Sequence, residues 1–527
     1  MTFPRLTGRS VLALLAGVFL AACSSPPAES PATAPAEDSQ AGAPHPEQAL
    51  LEDLVLANRI LTREEGILDI QAHVSARSQV NPDRWYMARF VAPGGASVSD
   101  MSEYDFDGLP IEPRGGDARE TFLHGNVFKA RPDVMAVVHA HTPEYVAFSM
   151  SSAPLYWGPD KRVPVWDIRP HNNGRNGIVS DNLLGESMVE TLGDNEATLL
   201  WGHGITLAAK SLPEAIHRSV ALRRNARLQL AAAVIGSSGQ PEMIVDDAAA
   251  DQRAWDHYKR IDLKAEGGIV PMNPAPMPAK PSDPVGGARH DLVLANRILA
   301  NEMVGLIEAS GHVSMRNPSN PNSYFVATAA PGSVTDRDIV ERDLSNPGPD
   351  TMGLSIDDEI YKANPEVMAV LYSRAPEVVA FTQGVTLRSM VNGAAFIGGG
   401  LPVFDMSTLD PNQPVLSNPA LGRGVAAALG TNQAALLSGN GFVVTGATIY
   451  NAVRSAYHMR QNAIIQQQAL ALGGRVAYLN EIRMGPQGAA SATAGGGGRG
   501  GGGGGGGQLG PVEGREWVYW AQTTPLD

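Results

Sequence analysis

Residues 131–141 read RPDVMAVVHAH, and this stretch decides how the first half of the chain is interpreted. Residues 134–139 are a short apolar run rich in β-branched side chains, which predicts a buried strand. Side chains two positions apart on a strand point to the same face, so His139 and His141 would present two imidazoles side by side. The stretch therefore predicts a strand that ends in a candidate metal-binding pair.

A third candidate ligand is His203, which lies between Gly202 and Gly204 directly after a second buried-strand pattern at residues 197–200. Flanking glycines allow a sharp turn and the close approach of other groups. Three neutral imidazoles suit Zn²⁺ and leave one coordination position open for catalysis. Glu120 is a candidate fourth ligand or base. An HxH pattern alone is a weak signal, and the alternative is that these histidines are hydrogen-bonded core residues.

The chain carries the same series of motifs twice. LVLANRIL occurs at 54–61 and again at 292–299, and RPDVMAVVHAHTPEYVAF at 131–148 matches NPEVMAVLYSRAPEVVAF at 364–381. Three further pairs keep the same order: HVSAR (73–77) with HVSMR (312–316), VPVWD (163–167) with LPVFD (401–405), and ATLLWGHG (197–204) with AALLSGNG (434–441). An ordered series of this length indicates a tandem duplication.

The second copy lacks every candidate ligand of the first. Local alignment of the repeats gives four replacements: Tyr372 for His139, Arg374 for His141, Asn440 for His203 and Gly353 for Glu120. Tyr, Arg and Asn do not form an ordinary Zn²⁺ site. The joint loss of all four favours a metal site over core packing in the first copy, and it indicates one active and one degenerate copy.

These motifs resemble the class II aldolase/adducin family. The resemblance rests on Glu120-Thr-Phe-Leu-His124, on RPDVMAVVHAH and on the GHG of 202–204, and it extends over about residues 47–260 and again about 288–480. It implies an α/β fold, an α/β/α sandwich with a mainly antiparallel central sheet, present twice. In metal-dependent members one Glu and three His occupy these relative positions. The implied ligands of a divalent metal, Zn²⁺ with Mn²⁺ as the alternative, are Glu120, His139, His141 and His203.

Within that family the motifs are most similar to the small decarboxylases that act on hydroxy-carboxymuconic semialdehydes (HCOMODA-type decarboxylases). The chain offers ANRIL (57–61), AHVSAR (72–77), ETFLHGNVFKARPDV (120–134), VPVWDIR (163–169) and WGHG (201–204). The phosphosugar aldolases have Gly-Asn where this chain has Ala72 and His73, which disfavours a sugar-phosphate substrate. The resemblance thus implies a metal-dependent lyase that cleaves a carbon–carbon bond next to a carbonyl in a small hydroxy-keto acid. The alternatives are an epimerase on the same fold and a non-catalytic, adducin-like binding or scaffold protein.

Further residues near these motifs are candidates for catalysis and binding. Glu120 would serve as acid or base as well as ligand, and His124 would shuttle a proton, with packing or capping as its alternative. Ser75 and Arg77 are candidates for holding a substrate carboxylate, Arg through bidentate hydrogen bonds. Because the second copy keeps the same Ser and Arg without a metal, a structural role is favoured for both. The same reasoning favours a structural role for His73, which the second copy retains as His312.

The N-terminus resembles a bacterial lipoprotein signal. Arg5 and Arg9 precede an apolar stretch at residues 11–20 that is too short to span a membrane, and Leu-Ala-Ala-Cys23 follows. Cleavage before Cys23 and acylation of that residue would anchor the exported chain at the bacterial cell envelope. Ser24 after the cysteine favours the outer membrane. Residues 23–46, rich in Pro, Ala and Ser, are predicted to form a flexible tether.

The remaining organisation follows from the repeat and the composition. We predict a metal-binding domain at 47–264, a Pro-rich linker at 265–287, and a degenerate domain at 288–527 with a Gly-rich insertion at 495–507. The net charge of −14 argues against nucleic acid as a partner, and a single cysteine excludes an intramolecular disulfide. Since family members resemble fourfold rings, the tandem chain is expected to form a homo-oligomer, a dimer acting as a pseudo-tetramer, with a small carbonyl or carboxylate compound as substrate.

Overall fold

The computed structural model describes the chain from residue 45 onward, with gaps. The described residues are 45–67, 72–113, 120–158, 160–171, 178–237, 244, 247–264, 268–269, 279–301, 304–307, 311–348, 353–382, 384–408, 418–479, 516–517 and 519–521. The predicted signal and Cys23, almost all of the tether, most of the linker and the Gly-rich run therefore lie outside the described residues. Residues 46–527 form one compact unit that contains both copies of the repeat. Among the described helices, none combines the length and apolar character needed to cross a membrane.

The first copy alternates helices with short strands. Its elements are α1 (Gln48–Glu65), β1 (Ala72–Arg77), β2 (Trp85–Ala88), β3 (Met101–Tyr104), α2 (Thr121–Ala130), β4 (Ala136–Ala140), α3 (Pro143–Met150), β5 (Tyr156–Gly158), β6 (Lys161–Arg162), β7 (Val165–Trp166), α4 (Asn182–Leu192), β8 (Ala197–Leu200), β9 (Gly204–Ala209), α5 (Leu212–Val234), α6 (Ala248–Asp262), β10 (Leu263–Lys264) and β11 (Gly268–Ile269). The strand predicted at 134–139 begins later, because the Val134 amide bonds back to the Arg131 carbonyl in a turn.

The second copy repeats this order with small losses. Its elements are α7 (Pro284–Ala300), β12 (His312–Arg316), β13 (Ser323–Ala327), β14 (Ile339–Asp343), α8 (Ser355–Ala363), β15 (Ala369–Ser373), α9 (Pro376–Val379), β16 (Val403–Phe404), α10 (Pro419–Leu429), β17 (Ala434–Leu437), β18 (Gly441–Gly446) and α11 (Ile449–Ala471).

Each copy contains a seven-stranded sheet of the same topology. The first sheet has the order β3-β2-β1-β4-β9-β8-β7 and the second β14-β13-β12-β15-β18-β17-β16. All neighbouring strands in both sheets are antiparallel except one edge pair in each, β7 with β8 and β16 with β17. The expected fold, a mainly antiparallel sheet present twice, is confirmed.

Helices cover both faces of the first sheet. Neighbouring residues of β4 belong to different apolar clusters: Val138 packs with residues of α1, α3 and α5, whereas Val137 packs with residues of α2 and α4. This alternation follows from the two-residue period of a strand. His139 shares the face of Val137, which places its imidazole on the side of the sheet where α2 begins.

The two copies pack against each other through one apolar patch, here called the inter-copy cluster. It joins four residues of the first copy to four of the second: Val146, Ala147, Met150 and Trp201 with Met390, Ile465, Ala469 and Tyr478. Helix α3 of the first copy lies against α11 of the second. The backbone of Ala477 also donates a hydrogen bond to the carbonyl of Met150 at 2.9 Å. The second copy therefore forms one wall beside the end of β4.

Candidate metal centre

Four side chains of the first copy converge on one point. The ligand atoms of Glu120, His139, His141 and His203 all lie within 4.8 Å of one another. His203 Nε2 is 2.7 Å from Glu120 Oε1, and the Nε2 atoms of His139 and His141 are 2.7 Å apart. The structure thus brings together all four residues that the sequence proposed as ligands.

Local backbone geometry places each of the four. His139 lies near the end of β4, His141 directly follows that strand, and His203 occupies the tight turn between β8 and β9. The turn passes so close to β4 that a side chain at Gly204 would collide with the carbonyl oxygen of Ala140, which explains the glycine at this position. Glu120 precedes α2 with φ +57°, and among the described residues it is the one non-glycine with positive φ. Strained backbone of this kind persists where surrounding structure enforces it, often at functional sites.

The protonation states of the cluster suit metal binding. His139 Nδ1 lies 2.9 Å from the Ile205 carbonyl, which can only accept, so Nδ1 carries the proton and Nε2 keeps its lone pair. Burial lowers the pKa of His139 to about 4 and that of His141 well below its usual range. Burial works to raise the pKa of Glu120, but His203 and His139 outweigh it and hold that pKa well below the usual range.

This donor set fits a divalent transition metal. Metal ligands must be deprotonated, and the cluster offers one carboxylate together with the imidazoles of His139 and His141, which burial keeps neutral. The hydrogen bond from His139 to a backbone carbonyl is the orienting contact that metal-bound histidines commonly make. Imidazole and carboxylate together are ligands that Zn²⁺ accepts readily.

A second layer of polar side chains adjoins the cluster. His124 is fully buried and lies between two neighbours: its Nε2 is 2.8 Å from His73 Nδ1, and its Nδ1 is 2.6 Å from Ser75 Oγ. His73 in turn reaches within 3.8 Å of Glu120 Oε2. Burial and the neighbouring His73 hold the pKa of His124 well below its usual range, so it is a neutral imidazole. Ser75, His124 and His73 therefore form a chain that leads to Glu120.

Arg77 is not brought to the cluster. It lies at the opposite end of β1 from His73, and its guanidinium bonds to the carbonyl oxygens of Val134, Pro82, Phe128 and Arg131. Arg316 makes the matching set of bonds in the second copy. These contacts indicate a packing role for Arg77. Its guanidinium is held away from the cluster and is not placed to bind a substrate there.

The second copy confirms the alignment of the repeats and shows what replaced the ligands. His73 pairs with His139 across β1 and β4, and His312 pairs with Tyr372 across β12 and β15. The Tyr372 hydroxyl donates to the Asn440 side chain, so a direct hydrogen bond stands where the first copy has two ligands. Gly353 keeps the left-handed backbone of Glu120, with φ +83°.

The polar layer of the second copy is also rebuilt. Asp357 stands where the first copy has His124, and it accepts hydrogen bonds from His312 at 2.8 Å and from Ser314 at 2.5 Å. The retained Ser and His are therefore satisfied by a carboxylate rather than by a neutral imidazole. The presence of this Ser and His in both copies is therefore no evidence for or against a metal site.

A small, partly enclosed cavity lies next to His141, between the two copies. The first copy contributes Glu65, Gly66, Ile67, His141, Thr142 and Pro143, and the second contributes Val391, Tyr457, His458, Gln461 and Ile465. Sequence reasoning missed Glu65 and His458. Comparison of the two copies could have identified His458, because alignment of α5 with α11 puts Ala221 of the first copy at the position of His458.

Comparison with known proteins found a family and several relatives that this chain resembles. The sequence profile of the family described as "Class II Aldolase and Adducin N-terminal domain" matches residues 52–230 and 290–467, together more than half of the chain. The 3,4-dihydroxyphthalate decarboxylase of Arthrobacter keyseri is 29% identical over 39% of this chain and 91% of its own length. The enzyme of the same name from Rhodococcus jostii is 30% identical, over 35% of this chain and 78% of its own.

Two further similarities were found. The decarboxylase tropJ of Talaromyces stipitatus is 28% identical over 31% of this chain and 69% of its own length. Among solved structures, an aldolase II superfamily protein from Pseudomonas syringae is 22% identical and covers 41% of this chain and 93% of its own, with a TM-score of 0.36.

Proposed function

The chain belongs to the class II aldolase/adducin family, and from this premise we propose that it is a metal-dependent lyase, more narrowly a decarboxylase, acting on a small hydroxylated acid. The protein is an enzyme of the aldolase family. The observation that carries the narrower proposal is the convergence of Glu120, His139, His141 and His203 in one copy and their joint loss in the other. The names of the decarboxylase relatives support carbon–carbon cleavage with loss of CO₂.

Glu120, His139, His141 and His203 would hold the ion, with Zn²⁺ as the first expectation and Mn²⁺ as the alternative. A divalent ion bound there supplies a Lewis acid that polarises carbonyl or hydroxyl oxygens of the substrate. The four side chains are largely buried, which excludes bulk water from the reacting groups.

The chain's own residues can manage the proton that decarboxylation requires. When the bond to the carboxylate breaks, CO₂ leaves and the remaining carbon keeps the electron pair, so it must receive one proton. His73 is the outermost member of the chain from Ser75 through His124, and its side chain is partly exposed. We propose that His73 delivers the proton and recovers one from water at its exposed side, while the neutral His124 holds the His73 ring through the hydrogen bond between them.

Metal analysis and a product assay test this function. The full chain is expected to contain one divalent ion and to release CO₂ from 3,4-dihydroxyphthalate or from a hydroxy-keto acid. The double substitution His139→Ala/His141→Ala should abolish both metal binding and CO₂ release, because two of the four proposed ligands are lost. Tyr372→Phe, at the matching position of the second copy, is the control and should retain metal and activity.

The outcomes separate the rival functions. Release of an aldehyde instead of CO₂ indicates an aldolase, and inversion of a stereocentre without bond cleavage indicates an epimerase. A wild-type chain without stoichiometric metal contradicts the enzyme as proposed and favours the adducin-like scaffold.

We propose in addition that Cys23 is the lipid attachment point and that the protein is anchored at the cell envelope, at the outer membrane. This proposal is supported by the signal-like sequence before Cys23. Replacement of Cys23 by Ser should move the protein out of the membrane fraction and remove the acyl mass from the mature N-terminus. Membrane retention of the Ser variant would contradict it.

We propose, finally, that two chains associate. The contact between copies is heterologous: α3 of the first copy meets α11 of the second. Each copy also has an exposed apolar surface that takes no part in this contact. In the second copy it consists of α9, Val385 and Leu470, and in the first copy of Leu228, Val234 and Ile235. Heterologous contacts close into rings when the same geometry repeats, so two tandem chains would complete a pseudo-tetramer.

A further inference from the structure

The cavity beside His141 contains two buried polar groups that the proposed mechanism does not use. Glu65, at the end of α1, is 1% exposed, and its Oε1 accepts a hydrogen bond from Ser219 Oγ at 2.5 Å. Its other oxygen, Oε2, has no hydrogen-bond partner among the described residues. A buried carboxyl oxygen without a partner is costly, so a group that enters the cavity and donates a hydrogen bond there would be stabilised.

His458 of α11 is the second such group, and it comes from the other copy. It is 2% exposed, its ring packs on Gly393, and its Nε2 also lacks a hydrogen-bond partner in the described part of the chain. The nearest carboxylate, Glu516, is 3.9 Å from that nitrogen, beyond hydrogen-bond distance. Burial holds the pKa of His458 well below its usual range, so the imidazole is neutral and can both donate and accept.

The remaining lining residues define what the cavity can accept. Thr142, Tyr457 and Gln461 add polar side chains, and Ile67, Pro143, Val391 and Ile465 add apolar surface. No Lys or Arg is among the described lining residues. The Arg223 guanidinium lies near Glu65, but it is paired with Glu144 and is not among the lining residues. A phosphate or carboxylate would therefore be buried beside an acidic side chain without a cation in the lining, which is unfavourable. An uncharged hydroxyl group meets no such penalty.

We propose that this inter-copy cavity binds a hydroxyl group of the substrate, held by Glu65 from the first copy and His458 from the second, while the acidic end of the substrate occupies the metal centre. The proposal rests on the proposed function, which it extends to a substrate class: an acid with a hydroxyl group remote from the carboxylate that is lost. It also makes the degenerate copy part of the active site.

Comparison of the repeats supports a role for His458 that is specific to the second copy. Gln229 of α5 and Gln466 of α11 accept equivalent backbone hydrogen bonds, from Tyr156 and Arg388, which aligns the two helices. That alignment puts Ala221 at the place of His458. The buried imidazole is therefore present on the helix that faces the metal-binding copy and absent from its counterpart.

Calorimetric titration of the metal-loaded full chain with phthalate and with 3,4-dihydroxyphthalate tests the proposal. Wild type should bind the dihydroxy compound at least about 10-fold more tightly, the effect of one or two buried hydrogen bonds. Glu65→Gln and His458→Asn should each remove most of this preference and leave phthalate affinity and metal content unchanged. His312→Asn, which changes a buried histidine of the second copy away from the cavity, should keep the preference. Glu64→Gln is the matched control for Glu65→Gln.

Other results overturn the proposal in distinguishable ways. A metal-loaded wild type with no preference for the dihydroxy compound, or variants that weaken both compounds equally, contradicts the cavity and leaves the proposed function standing. A wild type without metal contradicts the proposed function and the cavity proposal with it. In a crystal soaked with 3,4-dihydroxyphthalate, a ligand hydroxyl within hydrogen-bond distance of Glu65 is expected, and ordered water alone would contradict the proposal.

Discussion

At the residue scale, Glu120 shows how a single position combines backbone conformation with chemistry. Its left-handed backbone is unusual for a residue with a side chain, and Gly353 adopts the same conformation without strain. The two copies thus share the backbone shape at this position, whereas only the first has the carboxylate. The first copy accepts the strain because the side chain reaches His203 and His139.

Substitution of Glu120 separates these two contributions. With metal removed by a chelator, Glu120→Gly should be about 1 kcal/mol more stable than Glu120→Ala, because only glycine adopts positive φ freely. Both variants should lose metal binding. Urea unfolding measures the difference, and equal stability of the two variants would show that the backbone relaxes when the carboxylate is removed.

The Glu65 carboxyl makes stability depend on pH. Burial raises its pKa from 4.5 to about 7, with the Ser219 hydrogen bond opposing this. Between these values the unfolded chain releases the proton while the folded chain keeps it, so this group makes stability fall as pH rises. The loss is complete above about pH 7 and amounts to about 3 kcal/mol at most.

Glu65→Gln should remove this pH dependence. Its stability relative to wild type should increase from pH 5 to about pH 7 and then level off in urea unfolding, because an amide carries no charge to desolvate. Glu64→Gln, which changes the more exposed neighbour, should show no such trend. A constant difference between Glu65→Gln and wild type over this range would show that the carboxylate is solvated.

At the element scale, the position of α11 determines what lies beside the metal centre. The helix packs on its own sheet and also presents Ile465 and Ala469 to α3 of the first copy. Its counterpart α5 presents Leu228 to solvent instead, with 44% exposed. Equivalent helices of one fold thus have different environments, because the tandem chain forms this contact once.

Truncation of Ile465 tests the contribution of the inter-copy cluster. Ile465→Ala should destabilise the chain by about 2–4 kcal/mol, because a 2% exposed side chain leaves a cavity between the copies. Val234→Ala, at a site 71% exposed, should cost less than about 0.5 kcal/mol. Denaturant unfolding gives both values, and an equally small effect of the two changes would mean that the copies do not pack as described.

At the scale of the whole molecule, the two copies have different side chains at the position of the candidate metal centre. The first has the four candidate ligands, and the second has the Tyr372–Asn440 hydrogen bond at the equivalent position and contributes α11 to the contact between copies. One ion per chain is the stoichiometry expected from this division. The apolar surfaces left over are the basis for the proposed pairing of two chains.

A charge on the unused apolar surface should prevent that pairing. Leu228→Glu is expected to convert a dimer into a monomer in sedimentation velocity experiments, because it buries an unpaired carboxylate in the proposed contact. Leu183→Glu, on α4 at a position 78% exposed, is the matched control and should leave the dimer intact. A monomeric wild type at micromolar concentration would contradict the pairing.

Much of the fold and the ligand set was predictable because the signals are local or repeated. The strand period placed His139 and His141 together, the glycines around His203 marked a tight turn, and the paired motifs showed the duplication. Comparison of the copies also identified Gly353 as the counterpart of Glu120. Each of these inferences needs only a few neighbouring residues or one alignment of the chain with itself.

The sequence by itself determined the identity of the four converging residues, the family and the duplicated fold. Tertiary structure alone decided that Arg77 bonds to backbone carbonyls, that His124 lies between Ser75 and His73, and that Glu65 and His458 line one cavity. The physical reason is that these contacts join elements far apart in the chain. Their positions depend on how helices pack on sheets and how one copy packs on the other, which local periodicity does not encode.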